Sequence, residues 1–182
     1  MDEGEGPGSS LAANDLVRLS SWVPFGHAVG FLLSQLGYAV NRRFRAELEE
    51  LSLEPRHFGL MRTIEAAKHL SQQALGDSLH IPASSVVALL DQLEARDLVR
   101  RRLDPTDRRV RLVELTEAGR AVLGRALEVA IGIETRVCLG FDLAQREALI
   151  ADLQKVAGNL GLPPGVHPAS DEAVAGPGRG DD

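Results

Sequence analysis

The chain has 182 residues, of which 44% are hydrophobic, with one cysteine and a formal net charge of −6. That length suits one domain with a buried core, or one domain with an extra helical layer, and a single cysteine excludes an internal disulfide. No apolar stretch approaches the roughly 18 residues of a membrane span. The acidic, glycine-rich start lacks the basic and apolar regions of a secretory signal, so we expect a cytoplasmic protein.

The negative charge is unevenly distributed along the chain. Residues 1–17 and 163–182 are rich in acids and in glycine or other loop-forming residues, a composition that cannot offset the entropy of ordering. Both segments are predicted to be flexible acidic tails. Between residues 96 and 111, however, seven arginines outnumber three aspartates. A polyanion responds to charge within a Debye length of about 10 Å, so the acidic total does not exclude a nucleic-acid partner.

Apolar residues at helical spacing dominate the body of the chain. The first run, from Gly26 to Leu51, is long enough to need a partner surface, and residues 18–52 are assigned as an N-terminal dimerisation region. A second helix is predicted from Pro55, a residue suited to a first helical turn, to His69.

Residues 53–116 then have the pattern of a helix–turn–helix followed by a hairpin. Ser71 is predicted to cap a short helix, and after a tight turn another helix runs from residue 83 to about residue 96. The spacing of apolar residues is then no longer helical, and strands are predicted over 98–103 and 110–115 around an Asp-Pro turn.

The last part of the body, residues 117–162, is predicted to form two further helices. Thr116 caps the first, and Asp142 with Gln145 has the capping-box pattern for the second. The apolar faces of the outer helices exceed what the hairpin module can cover, so they are predicted to bury each other across a two-fold dimer. The predicted fold is mainly α with a small β-hairpin wing, a winged helix–turn–helix with long N- and C-terminal dimerisation helices.

A series of short motifs in residues 70–120 points to one family. They are Leu-Ser-Gln-Gln, Ser-Ser-Val-Val, Leu-Asp-Gln-Leu-Glu, Leu-Val-x-Arg, Asp-Pro-x-Asp-Arg-Arg and Leu-Thr-x-x-Gly, in that order. This segment resembles the DNA-binding core of the MarR family of bacterial transcriptional regulators. The resemblance implies a homodimer on palindromic double-stranded DNA, with the helix at 83–95 in the major groove and the wing at 100–111 in the minor groove.

The resemblance and the side-chain chemistry together assign the DNA contacts. Hydroxyls in a first helical turn can meet phosphates or bases, and arginine suits a narrow, AT-rich minor groove. Apolar side chains can touch a thymine methyl but cannot make a bidentate guanine contact. The predicted DNA-binding residues are Ser71, Gln72, Ser84, Ser85, Val87, Ala88, Gln92, Arg102, Asp107, Arg108, Arg109 and Arg111.

Three positions depart from what the family pattern or a simple basic surface would predict. The family's usual glycines in two turns are His80 and Asp97 here, and both residue types are enriched at positive φ, so both turns are predicted to form with some strain. Asp107 is interpreted as an anchor that pairs with Arg109 and organises the wing tip, with Arg108 as the other candidate tip residue.

The family's usual effectors are small aromatic or phenolic anions, bound between the dimerisation helices and the DNA-binding lobe. The candidate ligand-binding residues are Trp22, His27, Tyr38, Phe58, Met61 and Arg62. For each of these residues alone, a core or surface role is the competing interpretation.

No enzyme, metal site or cofactor is expected. The five histidines show no metal-ligand spacing, and the chain has no phosphate-binding loop, dinucleotide fingerprint or catalytic triad arrangement. Two alternatives to a ligand-responsive DNA-binding repressor stay open. One is a winged-helix protein-interaction module, and the other is a redox-sensing regulator that uses Cys138, for which a packing role is favoured.

Overall fold

The computed structural model describes residues 28–67, 70–105 and 110–162. The chain divides into two compact units, residues 1–42 and 43–182. The described part of the first unit is almost wholly helical, and the second unit holds the remaining elements. Both predicted tails lie outside the described residues, and the predicted boundaries after residues 52 and 116 remain predictions.

The order of helices and strands is that of a winged helix–turn–helix, which confirms the predicted fold. The helices are α1 (Val29–Glu49), α2 (Pro55–Ala67), α3 (Gln72–Leu79), α4 (Ala83–Glu94), α5 (Glu117–Val137) and α6 (Leu143–Asn159), and the strands are β1 (Leu70–Ser71), β2 (Val99–Leu103) and β3 (Arg111–Leu115). No helix within the described ranges is long and apolar enough to cross a membrane.

The strands form one antiparallel sheet in the order β1-β3-β2. The wing strands pair Val99 with Leu115 and Leu103 with Arg111 at their two ends. Strand β1, which pairs Leu70 with Val113, was not predicted, because two residues are too few to display a strand period. It ties the start of α3 to the base of the wing.

Three predicted helix caps are present in the structure. The Ser71 Oγ accepts the Ala74 N–H, and the Thr116 Oγ1 accepts the Gly119 N–H. Asp142 and Gln145 form a complete capping box at the start of α6. These caps confirm that α3, α5 and α6 begin where the sequence places them.

Both predicted strained turns also form. His80 and Asp97 each adopt a φ of 53°, the left-handed region that costs non-glycine residues free energy. His80 ends α3, where its N–H bonds back to the last turn. Asp97 turns the chain from α4 into β2. The departures from glycine at these positions therefore leave the turn geometry intact.

The core of the second unit lies between α2, α3, α4, α5 and the sheet. It is aliphatic apart from two aromatic rings, Phe44 and Phe58, which meet edge to face with centroids 5.3 Å apart. The largest fully buried side chains are Leu48, Leu60, Met61, Leu75, Val86, Leu90, Leu93, Val99, Val113 and Leu115. This core holds α4 and the wing on one scaffold.

Candidate nucleic-acid interface

Helix α4 presents its predicted contact residues on one face. Val86, Leu89, Leu90 and Leu93 are buried against the core, whereas Ser84, Ser85, Val87 and Ala88 are exposed. No side chain caps the start of α4, where Pro82 is the N-cap. The N–H groups of Ser85 and Val86 donate to the Pro82 carbonyl, so those of Ala83 and Ser84, with the serine hydroxyls, are the groups available to an anion.

A shallow cleft joins the start of α3 to the base of the wing. Its volume is about 290 Å³, and it is lined by Ser71, Gln72, Gln73, Val110 and Arg111. The β1–β3 pairing brings these residues together although they are about forty positions apart in the chain. Three of them, Ser71, Gln72 and Arg111, are predicted DNA contacts, and the cleft combines a guanidinium with amide and hydroxyl groups that suit a phosphate.

The arginines of β2 do not form a uniform basic surface. Arg100 and Arg102 both reach Glu114 on the neighbouring strand, with N–O distances of 2.7 and 3.5 Å. Arg111, at the start of β3, is exposed. Asp107, Arg108 and Arg109 lie outside the described residues, so the predicted Asp107–Arg109 pair stays a prediction.

Arg101 points into the protein instead of toward solvent. Its side chain is only 12% exposed, and its guanidinium contacts Asp91 at 2.6 Å and Glu94 at 2.5 Å. It also donates to the Val87 carbonyl at 3.3 Å. All three partners belong to α4, so Arg101 fastens β2 to that helix. In the sequence, Arg101 is one of seven arginines between residues 96 and 111, and the spacing of apolar residues gives no signal for its inward orientation.

A second link fastens α4 to the start of α2. The His57 ring is buried, its Nε2 lies 2.7 Å from the Gln92 Oε1, and its Nδ1 accepts the Glu54 N–H at 3.1 Å. Beside it, Arg56 hydrogen-bonds the Glu54 side chain and lowers the pKa of that carboxyl. Gln92, a predicted DNA contact, thus has one end of its amide already engaged.

The far end of α4 is held at two further points. The Arg96 guanidinium donates to the carbonyls of Leu51 and Ser52 at 3.0 and 2.5 Å, in the turn that follows α1. The Thr116 hydroxyl donates to the Asp97 carbonyl at 2.6 Å, which joins the turn after α4 to the start of α5. Helix α4 is therefore fixed to the wing, α2, α5 and the end of α1.

The predicted ligand-binding residues that the structure describes differ in their surroundings. Trp22 and His27 lie outside the described residues, and Tyr38 is exposed. Phe58 and Met61 belong to the hydrophobic core, which was the competing interpretation. The guanidinium of Arg62 is exposed, 6.0 Å from the centroid of the Phe58 ring.

The thiol of Cys138 lies beside an ion pair. Its Sγ lies 3.7 Å from a Glu134 carboxylate oxygen, and the same oxygen accepts a hydrogen bond from the Arg146 guanidinium at 2.6 Å. The redox-sensing use of Cys138 stays a prediction. Within the described part of the chain, no three acidic, histidine or cysteine side chains form a group that could hold a metal ion.

A helix–turn–helix whose exposed helix is fastened to a hairpin wing defines the winged-helix class of DNA-binding regulators. Residues 51–110 match the sequence model of the MarR family. The transcriptional regulator HosA of Escherichia coli O111:H- is 31% identical over 102 residues, which are 56% of this chain and 74% of HosA. The chain belongs to the MarR family and is a transcriptional regulator.

Other relatives agree with that assignment. The HTH-type transcriptional regulator MhqR of Bacillus subtilis strain 168 is 27% identical over 92 residues, and the match spans 50% of this chain and 63% of MhqR, less than two thirds of that relative. These relatives are regulators of transcription, not enzymes.

Two solved structures of the regulator CouR share the fold. One is the repressor CouR bound to a 23-mer DNA duplex, with 29% identity, a TM-score of 0.63, and coverage of 82% of this chain and 99% of CouR. The other is CouR from Rhodococcus jostii RHA1 bound to p-coumaroyl-CoA, with 27% identity, a TM-score of 0.62, and coverage of 79% and 99%.

Proposed function

We propose that this protein is a repressor that binds palindromic operator DNA as a homodimer and is released by a small aromatic effector. The observation that carries the proposal is the exposed face of α4, which begins without a side-chain cap and is joined to the wing by the Arg101 ion pairs. The CouR repressor, similar in fold and sequence, is bound to a DNA duplex. A protein-interaction module lacks comparable support.

In the proposed complex, α4 enters the major groove. Ser84 and Ser85 meet phosphates or bases, and Val87 and Ala88 make apolar contacts such as those with a thymine methyl. The cleft formed by Ser71, Gln72 and Arg111 receives a backbone phosphate. The wing enters the minor groove with Arg108 or Arg109, and Asp107 orients its tip. Because the α4 face carries no cation, wing and phosphate contacts supply most of the affinity.

The dimer is supported by apolar surface that the second unit leaves uncovered. The C-terminal part of α5, the following turn and α6 expose the large apolar residues Ile131, Val137, Leu139, Phe141, Leu143, Ile150, Leu153 and Leu160. Along the whole of α6 no residue is buried, although a stable helix needs packing for one face. A two-fold partner would cover this surface and present two copies of α4 to two half-sites one helical turn apart.

The central test is DNA binding by the full chain. A duplex containing the region upstream of the protein's own gene is expected to be retarded in a gel-shift assay. Binding should weaken steeply with salt, because each neutralised phosphate contributes roughly 0.9 to the slope of log K against log salt concentration. Replacing both Arg108 and Arg109 with alanine should abolish retardation, while replacing the distant Arg125 with alanine should not. Unchanged binding by the double variant would refute the wing assignment.

The proposed effector is a small aromatic acid or its coenzyme A thioester. The support is the CouR structure with p-coumaroyl-CoA, together with the exposed Arg62 guanidinium, a suitable partner for an anion. A panel of aromatic acids and aromatic acyl-CoA thioesters should include a compound that raises the melting temperature, because a ligand that binds only the native state stabilises it. The same compound should release the DNA. A panel without such a compound would contradict the effector class.

A further inference from the structure

The His57–Gln92 contact determines which end of the Gln92 amide is free. His57 lies in α2 with only 6% of its surface exposed. Its Nδ1 accepts the backbone N–H of Glu54, and its Nε2 lies 2.7 Å from Gln92. A backbone N–H can only donate, so Nδ1 carries no proton. The proton of the neutral ring is therefore on Nε2, and Nε2 must donate to Gln92.

The partner of that N–H has to be the carboxamide oxygen of Gln92, since the amide nitrogen is not an acceptor. His57 thus fixes the orientation of the amide, with the oxygen directed at the buried ring and the two N–H groups left for another partner. Gln92 is exposed. It follows Ser85 and Ala88 at intervals of seven and four residues, which places all three on one stripe of α4.

We propose that His57 makes Gln92 a donor-only DNA contact. This rests on the proposed operator binding and specifies its chemistry. A glutamine that reads adenine uses its oxygen and its nitrogen together, to N6 and N7. The oxygen keeps a second lone pair, but its bond to the buried His57 ring directs it toward the protein interior. Gln92 therefore does not present its oxygen and its nitrogen together to one adenine. It donates instead to an acceptor atom of the DNA, either a phosphate oxygen or an acceptor on a base edge. His57 is a positioning residue, and Gln92 makes the contact.

The tautomer can be measured without DNA. A long-range nitrogen–proton correlation spectrum of the full chain should show, for His57, a protonated Nε2 and an unprotonated Nδ1. The same pattern is expected after addition of a duplex selected by the full chain from a random-sequence library. A proton on Nδ1 of the neutral ring would overturn the proposal.

The DNA contact is tested with substitutions at an exposed position. On the selected duplex, Gln92→Met removes the donor without a change in charge and should weaken binding about tenfold. Gln92→Glu keeps an acceptor for His57 but has no N–H to donate, and should weaken binding further. The matched controls Ala121→Met and Ala121→Glu, at an exposed site in the N-terminal half of α5, should bind as the wild type does.

The two Gln92 variants should rank in opposite order by melting temperature and by DNA affinity. Gln92→Met leaves the buried His57 N–H without its acceptor and should melt below Gln92→Glu. A purely structural role of Gln92 would give affinity and melting temperature the same order, and that result would overturn the proposal.

Base analogues distinguish N–H donation by Gln92 from recognition of adenine through both its oxygen and its nitrogen. Each adenine in the selected duplex is replaced in turn by a purine that lacks the 6-amino group. The ratio of the Gln92→Met and wild-type dissociation constants should stay constant at every position. A ratio that falls to one at a single adenine would overturn the proposal.

The two sources of the acceptor are distinguished by ordinary base-pair substitutions. A constant ratio throughout identifies a phosphate oxygen, and a loss at one guanine or thymine identifies a base-edge acceptor, both in agreement with donation. A wild-type chain that selects no DNA would refute the proposed function and this inference together. Wild-type binding with full binding by both Gln92 variants would refute this inference alone.

Discussion

Gly119 has a role that is visible only at the scale of single atoms. It lies in the first turn of α5, where a Cβ would stand 1.9 Å from the Leu98 carbonyl oxygen. That carbonyl also accepts the Thr116 N–H at 3.1 Å, so the strand and the helix start are joined by backbone at this point. The glycine of the Leu-Thr-x-x-Gly motif is therefore required for close approach, and its φ is not in the left-handed region.

Gly119→Ala is expected to lower the free energy of unfolding by about 3 kcal/mol, because the colliding atom is backbone and cannot rotate away. Gly124→Ala in the same helix is the matched control, since a Cβ there meets nothing within 4 Å. That substitution should be neutral or stabilising by up to about 1 kcal/mol. Urea denaturation of both variants measures the difference, and equal stabilities would contradict the close approach.

At the scale of elements, Arg101 joins α4 to the wing. Its guanidinium spans Asp91 and Glu94 on α4 from its position on β2. The two carboxylates also offset the positive charge of Arg101. The arginine-rich run therefore contributes less positive potential to the protein surface than its number of arginines indicates. The acids of α4 pair with this arginine, and both lie in the second half of the helix, away from the exposed serines at its start.

Arg101→Met keeps the aliphatic stem and removes the guanidinium. The free energy of unfolding should fall by roughly 2 kcal/mol, since hydrogen bonds to charged groups contribute about 1.5–3 kcal/mol. Arg100→Met removes an exposed pair and should cost less than about 1 kcal/mol. Urea denaturation of the two variants compares them.

The salt dependence of DNA binding separates the internal arginine from one that contacts phosphate. Arg101→Met should weaken binding while the slope of log K against log salt concentration stays unchanged. Arg111→Met should reduce the slope by about 0.9, the value for one lost phosphate contact. A reduced slope for Arg101→Met would show that its guanidinium contacts DNA.

At the scale of the whole molecule, the unburied α6 indicates that the folded unit is incomplete as a monomer. Leu143 and Leu160 at its two ends are 72% and 67% exposed, and Ile150 and Leu153 lie between them. Contiguous apolar surface of this kind marks an interaction site. A dimer also explains how a short α4 with no cation on its exposed face obtains useful affinity, because two half-sites are bound together.

Replacing Ile150 and Leu153 together with glutamate should shift the protein from dimer to monomer in sedimentation velocity, because two carboxylates cannot be buried unpaired. Ala148→Glu, which adds one charge to the opposite, exposed face of the same helix, should remain a dimer. Operator affinity of the double variant should fall at least about a hundredfold with the loss of the second half-site. A double variant that is still dimeric would refute α6 as the interface.

Local sequence signals determined much of this protein. The helices, their caps at Ser71, Thr116 and Asp142, the wing and the positive-φ turns at His80 and Asp97 were predictable, because each depends on residues within a few positions of one another. The motifs of residues 70–120 likewise identified the family. The same signals placed Ser84, Ser85, Val87 and Ala88 on the exposed face of α4.

Tertiary structure decided the features that depend on partners distant in the chain. The two-residue strand β1, the inward Arg101, the His57–Gln92 bond across 35 positions and the close approach at Gly119 have no periodic signature. An arginine in a basic run and a histidine in a helix look the same in sequence whether they meet solvent or a buried partner. The packing of the fold determines which hydrogen-bond partner each of these side chains has, because polar groups that are buried away from water are nearly always hydrogen-bonded. The sequence therefore determined the elements and the family, and the fold determined which polar groups hold α4 in place and which remain for DNA.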